Sequence, residues 1–263
     1  MTNINDVKNS FEYYSIGNAL YELKNYEEAI QFYDKSIGLD PSYVLPYVKK
    51  AKILNDLGKY NEAMNEYDKI IELNPNDTKA YNEKCLNLIR SNQLNKAVAL
   101  YEKIIQINPK DALAYINKGS ILLSLEKYEK SIECFNKAID LKIIDSGVFY
   151  NKGEALRSIN KHNEAIECFN KSIKLDPFNY YAYLAKGNAY FRLNKCKKAL
   201  KYYDIAIKLE PEEPMLYYNK GLNLIRLNKF YKSLDCFDKV ILLNSNYSRA
   251  FFYKGKKRFG FQD

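Results

Sequence analysis

The sequence predicts an all-α fold made of antiparallel helix pairs that stack on one another. Four glycines recur at a constant step of 34 residues, namely Gly119, Gly153, Gly187 and Gly221. Prolines keep the same step, at Pro41, Pro75, Pro109, Pro177 and Pro211. Between successive prolines, the apolar residues follow the spacing of two amphipathic helices. A constant period of this length is the signature of a repeat protein.

The constant step divides the chain into seven repeats without an insertion. Their boundaries are 10–43, 44–77, 78–111, 112–145, 146–179, 180–213 and 214–247. We expect residues 1–9 to form a short polar N-terminal segment, and residues 248–263 to form a capping helix and a tail. A helix pair of this size cannot bury its apolar face alone, so neighbouring repeats must supply the core.

The fifth repeat illustrates why each interval predicts two helices. Asp145 or Ser146 can cap the first helix. The small residue Gly153 marks the point where the two helices approach closely, and Asn160 lies in a short polar turn between them. Pro177 ends the second helix because proline cannot continue a helix and restrains the residue before it.

The composition excludes disordered and membrane-spanning proteins. Hydrophobic residues make up 47% of the 263 residues and charged residues 28%, which is typical of a folded domain. No apolar run approaches the ~18 residues that a membrane span needs. The first residues are polar and do not resemble a secretory signal. We therefore expect a cytoplasmic protein with no membrane partner.

The sequence lacks the residues that common active sites need. Its only histidine is His162, and its five cysteines contain no C-x-x-C pair, so neither a zinc site nor a catalytic triad is visible. There is also no glycine-rich phosphate loop. We expect buried structural cysteines and a protein that is not an enzyme and uses no cofactor and no metal.

The strict 34-residue step, the small and aromatic positions and the terminal proline resemble the tetratricopeptide repeat family over roughly residues 10–259. The resemblance implies a right-handed superhelix, an α-solenoid whose first helices line a concave face and whose second helices line a convex face. It also implies a scaffold that holds a peptide segment of a partner protein in the concave groove. The chaperone-binding subset of the family uses a two-carboxylate clamp, and no three successive repeats reproduce that pattern here.

The resemblance also implies which residues face the groove, because positions 2, 5, 6, 9, 12 and 13 of each repeat do so in the family. Applied to this sequence, it selects three tyrosines, four asparagines and five arginines. These candidates are Tyr14, Arg90, Asn117, Tyr150, Asn151, Arg157, Asn188, Arg192, Tyr218, Asn219, Arg226 and Arg249. We expect tyrosine to supply apolar area and asparagine to bond a peptide backbone. Arginine can pair with a carboxylate, although a cation near a helix end is also favoured by the helix dipole.

A second series of cations recurs at the seventh position of successive repeats. Its members are Lys50, Lys84, Lys118, Lys152, Lys186 and Lys220, with Lys254 as an extension. A ladder of ammonium groups could bind a polyanion. We expect instead that the stems pack between helices while the charged ends reach solvent or acidic neighbours.

Charge is distributed unevenly along the chain. Net charge is +9 overall, but residues 10–77 carry −5 and residues 180–263 carry +10. This gradient favours an acidic partner segment near the end of the chain. Two alternatives remain open, namely a nucleic-acid-binding repeat protein that uses the basic C-terminal half, and head-to-tail self-association. Five aromatic residues lie near the end, namely Phe251, Phe252, Tyr253, Phe259 and Phe261. We expect some of them to pack on the seventh repeat and the remainder to form an exposed apolar patch.

Overall fold

The computed structural model describes residues 9–258, with side chains described through Tyr253. Fifteen α-helices occur in this range, in stacked antiparallel pairs, which confirms the predicted all-α fold. The first helices of the pairs are α1 (Ser10–Glu22), α3 (Val44–Asp56), α5 (Thr78–Arg90), α7 (Ala112–Ser124), α9 (Ser146–Ser158), α11 (Tyr180–Arg192) and α13 (Pro214–Arg226). The second helices are α2 (Tyr26–Leu39), α4 (Tyr60–Leu73), α6 (Leu94–Ile107), α8 (Tyr128–Asp140), α10 (His162–Leu175), α12 (Cys196–Leu209) and α14 (Phe230–Leu243). The last helix is α15 (Ser248–Arg258).

The helices form two compact halves, Met1–Ile121 and Leu122–Asp263, which divide within α7. We call them the N-terminal half and the C-terminal half. Almost all of the predicted polar segment 1–9 lies outside the described residues, as do Phe259 and Phe261 and the side chain of Lys254. Of the aromatic residues near the end, Phe251 and Phe252 are exposed, and Tyr253 packs on the seventh repeat by stacking on Phe237 at 5.5 Å, as the sequence predicts.

Capping residues and left-handed turns explain where the helices begin and end. Asp145, one of the two candidates, caps α9 by accepting a hydrogen bond from the Val148 amide at 3.1 Å. Between the helices of each pair, the fifteenth repeat position has a positive φ. The residues there are Lys24, Gly58, Asn92, Glu126, Asn160, Asn194 and Asn228. Asparagine and glycine adopt this conformation at little cost, so they favour a tight turn that brings the second helix back against the first.

Close packing of a large ring over a small residue holds each pair together. The Phe169 ring covers Gly153, where an added Cβ would lie 2.5 Å from Cε1 of the ring. Tyr203 covers Gly187 in the same way, at 2.6 Å. A side chain at either glycine would therefore displace the ring. This close approach is the physical reason for the glycine period in the sequence.

The lysine series is part of the packing between successive repeats. Lys50 pairs with Asp34 at 2.8 Å and with Glu66 at 2.9 Å. The same lysine position pairs with an acidic residue sixteen positions earlier in three further cases, which are Lys84 with Asp68, Lys118 with Glu102 and Lys220 with Asp204. Lys186 is buried and lies 3.9 Å from the centre of the Tyr202 ring. The expectation that these stems pack between helices and reach acidic neighbours is confirmed for these four pairs.

All five cysteines are buried, as the sequence predicts. Burial raises the pKa of the Cys85 thiol to about 12 and that of Cys236 to about 11. These thiols therefore remain protonated at neutral pH and contribute to the core as small apolar side chains.

Candidate ligand-binding surface

In each half, the first helices expose large apolar side chains at the second position of the repeats. We call the surface that repeat positions 2, 5, 6, 9, 12 and 13 of the first helices form within each half the first-helix face. At position 2 it exposes side chains that keep between 46% and 64% of their area in solvent, and these are Phe11, Leu45, Leu113, Tyr181 and Met215. Exposed apolar rows of this kind often mark contact surfaces. The sequence predicts only Arg249 at this position, so these five apolar side chains are additional to the predicted groove residues.

In the N-terminal half, the first-helix face contains a cavity of about 670 Å³ between α3 and α5. Val44, Val48 and Ile70 form apolar walls, whereas Asp56 and Glu83 bring carboxylates to it. The volume lies within the range of ligand cavities, about 300–1,000 Å³. The cavity therefore combines apolar area with a few charged groups, as binding sites usually do.

A hydrogen-bonded chain fixes one wall of this cavity. The Asn87 amide donates to Oδ1 of Asn55 at 2.6 Å, and the Asn55 amide donates to the Tyr67 hydroxyl at 3.1 Å. Arg90, a predicted groove residue, donates to Oδ1 of Asn87 at 3.3 Å, and its guanidinium lies 5.3 Å from the centre of the Tyr60 ring. Arg90 is thus held in place by partners from its own and the preceding repeat.

The charged side chains at the cavity act on the buried hydroxyl of Tyr67. The pKa of Tyr67 is raised to about 12, chiefly by burial and then by the carboxylates of Glu83 and Asp56. The Asn55 hydrogen bond and the Arg90 charge oppose this shift. Two anions and one cation therefore act on the same hydroxyl. Asn55 at repeat position 12 and Asn87 at position 10 are not among the groove residues predicted from the sequence.

In the C-terminal half, the predicted groove arginines differ in how far they are already engaged. Arg157 forms a bidentate pair with Glu154, through contacts of 3.0 and 2.8 Å. Arg226 donates to the Phe191 carbonyl at 2.9 Å and lies 4.0 Å from the centre of its ring. Arg192 is exposed and makes no ion pair or hydrogen bond within residues 9–253. Arg192 is therefore the groove arginine best placed to meet a ligand.

The three predicted groove tyrosines pack partly against the core. Tyr14 contacts the Tyr33 ring at 5.9 Å, and Tyr150 contacts Phe169 at 6.1 Å. Tyr218 contacts several rings and also hydrogen-bonds to Arg249, another predicted groove residue. Burial raises the pKa of Tyr150 to about 12. These rings stabilise the repeats and leave only part of their area to a ligand.

Three of the four predicted asparagines have internal partners. Asn188 accepts a hydrogen bond from the Tyr203 hydroxyl at 2.9 Å, and Asn117 hydrogen-bonds to Tyr101. The Asn219 amide donates to the Met215 carbonyl in its own helix at 2.8 Å. The fourth, Asn151, is half-buried. An amide that already has a partner has less capacity to bond a peptide backbone.

His162 lies beside two of the arginines, at the start of α10. Its Nδ1 is buried and has no hydrogen-bond partner in the described part of the chain. Burial lowers the pKa of His162, and the charges of Arg157 and Arg192 lower it further. The imidazole is therefore neutral at physiological pH and leaves the positive charge of this surface to the arginines.

Metal-binding and membrane-spanning features are both absent from residues 9–258. These residues contain no group of three or more histidine, cysteine, aspartate or glutamate side chains that could hold a metal ion. None of the helices α1–α15 is long and apolar enough to cross a membrane.

The chain is similar to known repeat proteins in sequence pattern and in structure. Models described as tetratricopeptide repeat match residues 10–43, 46–77, 78–111, 112–142 and 184–248, and a TPR repeat model matches residues 153–194. No curated protein matches the sequence.

Three solved structures illustrate the similarity of fold. YrrB, described as a TPR protein with an unusual peptide-binding site, is 23% identical and has a TM-score of 0.62, over 72% of this chain and 97% of its own. Part of a TPR protein from Cytophaga hutchinsonii is 19% identical with a TM-score of 0.71, over 91% and 98%. MamA from Desulfovibrio magneticus is 21% identical with a TM-score of 0.62, over 64% and 96%. At these identities the similarity shows the fold alone.

Proposed function

Because the chain belongs to the tetratricopeptide repeat family, whose members are protein-interaction scaffolds, we propose that it is a non-enzymatic scaffold whose first-helix face binds a peptide segment of a partner protein. The observation that carries this proposal is the combination of exposed apolar side chains at repeat position 2 with an unpaired arginine at position 13. Apolar area provides most of the driving force for association. The charged group then selects among partners.

In the C-terminal half, Arg192 determines which chemical group of the partner segment we expect to be bound. Its guanidinium is exposed, and residues 180–263 carry a net charge of +10. A planar guanidinium binds a carboxylate through two parallel hydrogen bonds. We infer that the partner segment presents an aspartate, a glutamate or a terminal carboxylate to Arg192.

Selection from a random peptide library tests this function and reveals the sequence preference of the surface in the same experiment. The wild-type chain is expected to enrich sequences with apolar and acidic residues, and Arg192→Glu is expected to remove the acidic preference. Lys208→Glu provides the matched control, because it makes the same charge change at an exposed position of a second helix. If the wild type enriches no peptides, the scaffold proposal is wrong. An acidic preference that survives in Arg192→Glu contradicts the role of this arginine.

A second candidate function, nucleic-acid binding, is favoured by the surface of α12. Lys197, Lys198 and Lys201 are exposed there and form no ion pair within residues 9–253. Lysines can neutralise phosphates, and binding then weakens steeply as salt increases.

Fluorescence anisotropy with a labelled single-stranded oligonucleotide tests this second candidate. The reversal of the three α12 lysines to glutamate should abolish binding. The same reversal on α6 and the turn after it should have little effect, and the exposed lysines for this control are Lys96, Lys103 and Lys110. Binding that is absent or insensitive to salt removes the candidate.

A further inference from the structure

We propose that the cavity between α3 and α5 binds a lysine or arginine side chain of a partner segment, with its cation held by Asp56 and Glu83. This inference rests on the proposed peptide-binding function and adds the class of side chain that the N-terminal half recognises. It assigns to this half the opposite preference from that of Arg192.

The carboxylates of Asp56 and Glu83 are available for such a ligand. Asp56 is the last residue of α3 and Glu83 lies within α5, and neither forms an ion pair among the residues that the structure describes. Asp77 also lines the cavity, but its carboxylate caps α5 by accepting hydrogen bonds from the Lys79 and Ala80 amides at 3.0 and 3.1 Å. Two of the three acidic side chains at the cavity are therefore free to bind a cation.

Three of the protein's own cations also line the cavity, namely Lys52, Lys79 and Arg90. Arg90 is held by Asn87 and lies against the Tyr60 ring. Lys52 hydrogen-bonds to Tyr21, and the charge of Asp56 also raises the pKa of Lys52. None of the three cations forms a direct ion pair with Asp56 or Glu83 in the described part of the chain. A cationic ligand would form that direct contact.

The apolar walls suit the aliphatic part of a long basic side chain. Val44, Val48 and Ile70 line the same cavity as the two carboxylates. Lysine and arginine place their methylene stems against apolar surface while the charged end reaches a polar partner. A short polar side chain or a free inorganic cation would leave this apolar wall without a contact.

A parallel peptide selection tests the inference. The wild-type chain should enrich peptides with a lysine or arginine at one fixed position, and Asp56→Asn/Glu83→Gln should lose that enrichment. For a selected basic peptide, this double variant should weaken binding about tenfold, which corresponds to ~1.4 kcal/mol. Replacement of the peptide's basic residue by glutamine should cost a similar factor, and both changes together should cost little more.

A matched control separates this site from the overall charge. Glu62→Gln/Glu72→Gln removes two exposed carboxylates of α4 and should preserve the enrichment. Circular dichroism melting of each variant verifies that it is folded. If the wild type enriches peptides without a basic preference, or if the preference survives in Asp56→Asn/Glu83→Gln, the inference is wrong although the scaffold function stands. If the wild type enriches no peptides, the scaffold function itself fails.

Discussion

The two halves of the chain use the same repeat framework to present different side chains on their first helices. At position 12 the second repeat has Asn55, whereas the fifth has Arg157. At position 13 the second repeat has Asp56, and the sixth has Arg192. The buried positions that hold the helix pairs together are much less variable. Packing therefore restricts the residues at the buried positions of every repeat, whereas the exposed positions can vary and determine which ligand binds.

The halves also differ in the aromatic residue that lies between paired helices. The N-terminal half has tyrosine at this position, in Tyr33, Tyr67 and Tyr101. The C-terminal half has mainly phenylalanine, in Phe135, Phe169 and Phe237, with Tyr203 as the exception. A buried phenol can lose a proton at high pH, and a phenyl ring cannot. At this repeat position, alkaline pH should therefore act mainly on the N-terminal half, while in the C-terminal half it acts on Tyr203, whose pKa burial also raises.

The largest predicted effect is the loss, between about pH 10 and pH 12, of the stability that the buried hydroxyls of Tyr67 and Tyr101 contribute to the N-terminal half. Burial raises the pKa of Tyr67 and of Tyr101 to about 12, whereas an unfolded tyrosine titrates near 10. The two protonated hydroxyls contribute fully to the free energy of unfolding below about pH 10. This contribution is lost as the pH rises through the pKa of the folded state. Circular dichroism melting across this range measures the loss. Tyr67→Phe/Tyr101→Phe should make the melting curve less sensitive to pH, and unchanged sensitivity would contradict the assignment.

The next effect concerns the glycines that lie under the aromatic rings. Gly187→Ala should destabilise the chain by about 1–3 kcal/mol, because the new Cβ would overlap the Tyr203 ring. Gly38→Ala is the control, since a Cβ there meets no atom within 4 Å. This control should stabilise α2 by about 0.5–1 kcal/mol. Urea denaturation measures both changes. Equal effects of the two substitutions would contradict the packing account.

Helix caps test whether the framework is equivalent in the two halves. Asp77 caps α5 and Asp145 caps α9 at the same repeat position. Each substitution to alanine should cost about 1 kcal/mol. Lys161→Ala should change little, because Lys161 precedes α10 without forming a side-chain cap. Local hydrogen exchange in α5 and α9 measures the costs, and a clear difference between the two helices would show that the framework is not equivalent.

The smallest predicted effect distinguishes lysines of the series that form ion pairs from one that packs on an aromatic ring. Lys50 bridges Asp34 and Glu66, so Lys50→Met should cost ~1 kcal/mol or less and the cost should shrink at high salt. Lys186 is buried against the Tyr202 ring, so the effect of Lys186→Met should depend little on salt. Denaturation at low and high salt measures both. A similar salt response in the two variants would contradict this distinction.

The sequence was sufficient to predict the helix pairs but not the cavity. Periodicity reports on packing, so the small residue at Gly153 and the end of α10 before Pro177 could be predicted. The cavity depends on side chains from different repeats, such as Asn55 and Asn87, whose contact requires particular rotamers. The partner of Arg226 could not be predicted either, because Arg226 donates to the backbone carbonyl of Phe191. No sequence pattern indicates a contact with a backbone group. The Arg157–Glu154 pair, three residues apart on one helix, could have been predicted.

The central claim is that the first-helix face binds the partner segment. Hydrogen exchange of the full chain, with and without the tightest selected peptide, tests it most directly. The account predicts new protection in the first helices of the half that the peptide contacts, which are α3 and α5 or α11 and α13, and little change in the second helices α6, α12 and α14. Protection confined to the second helices would contradict the account, even if the peptide binds tightly.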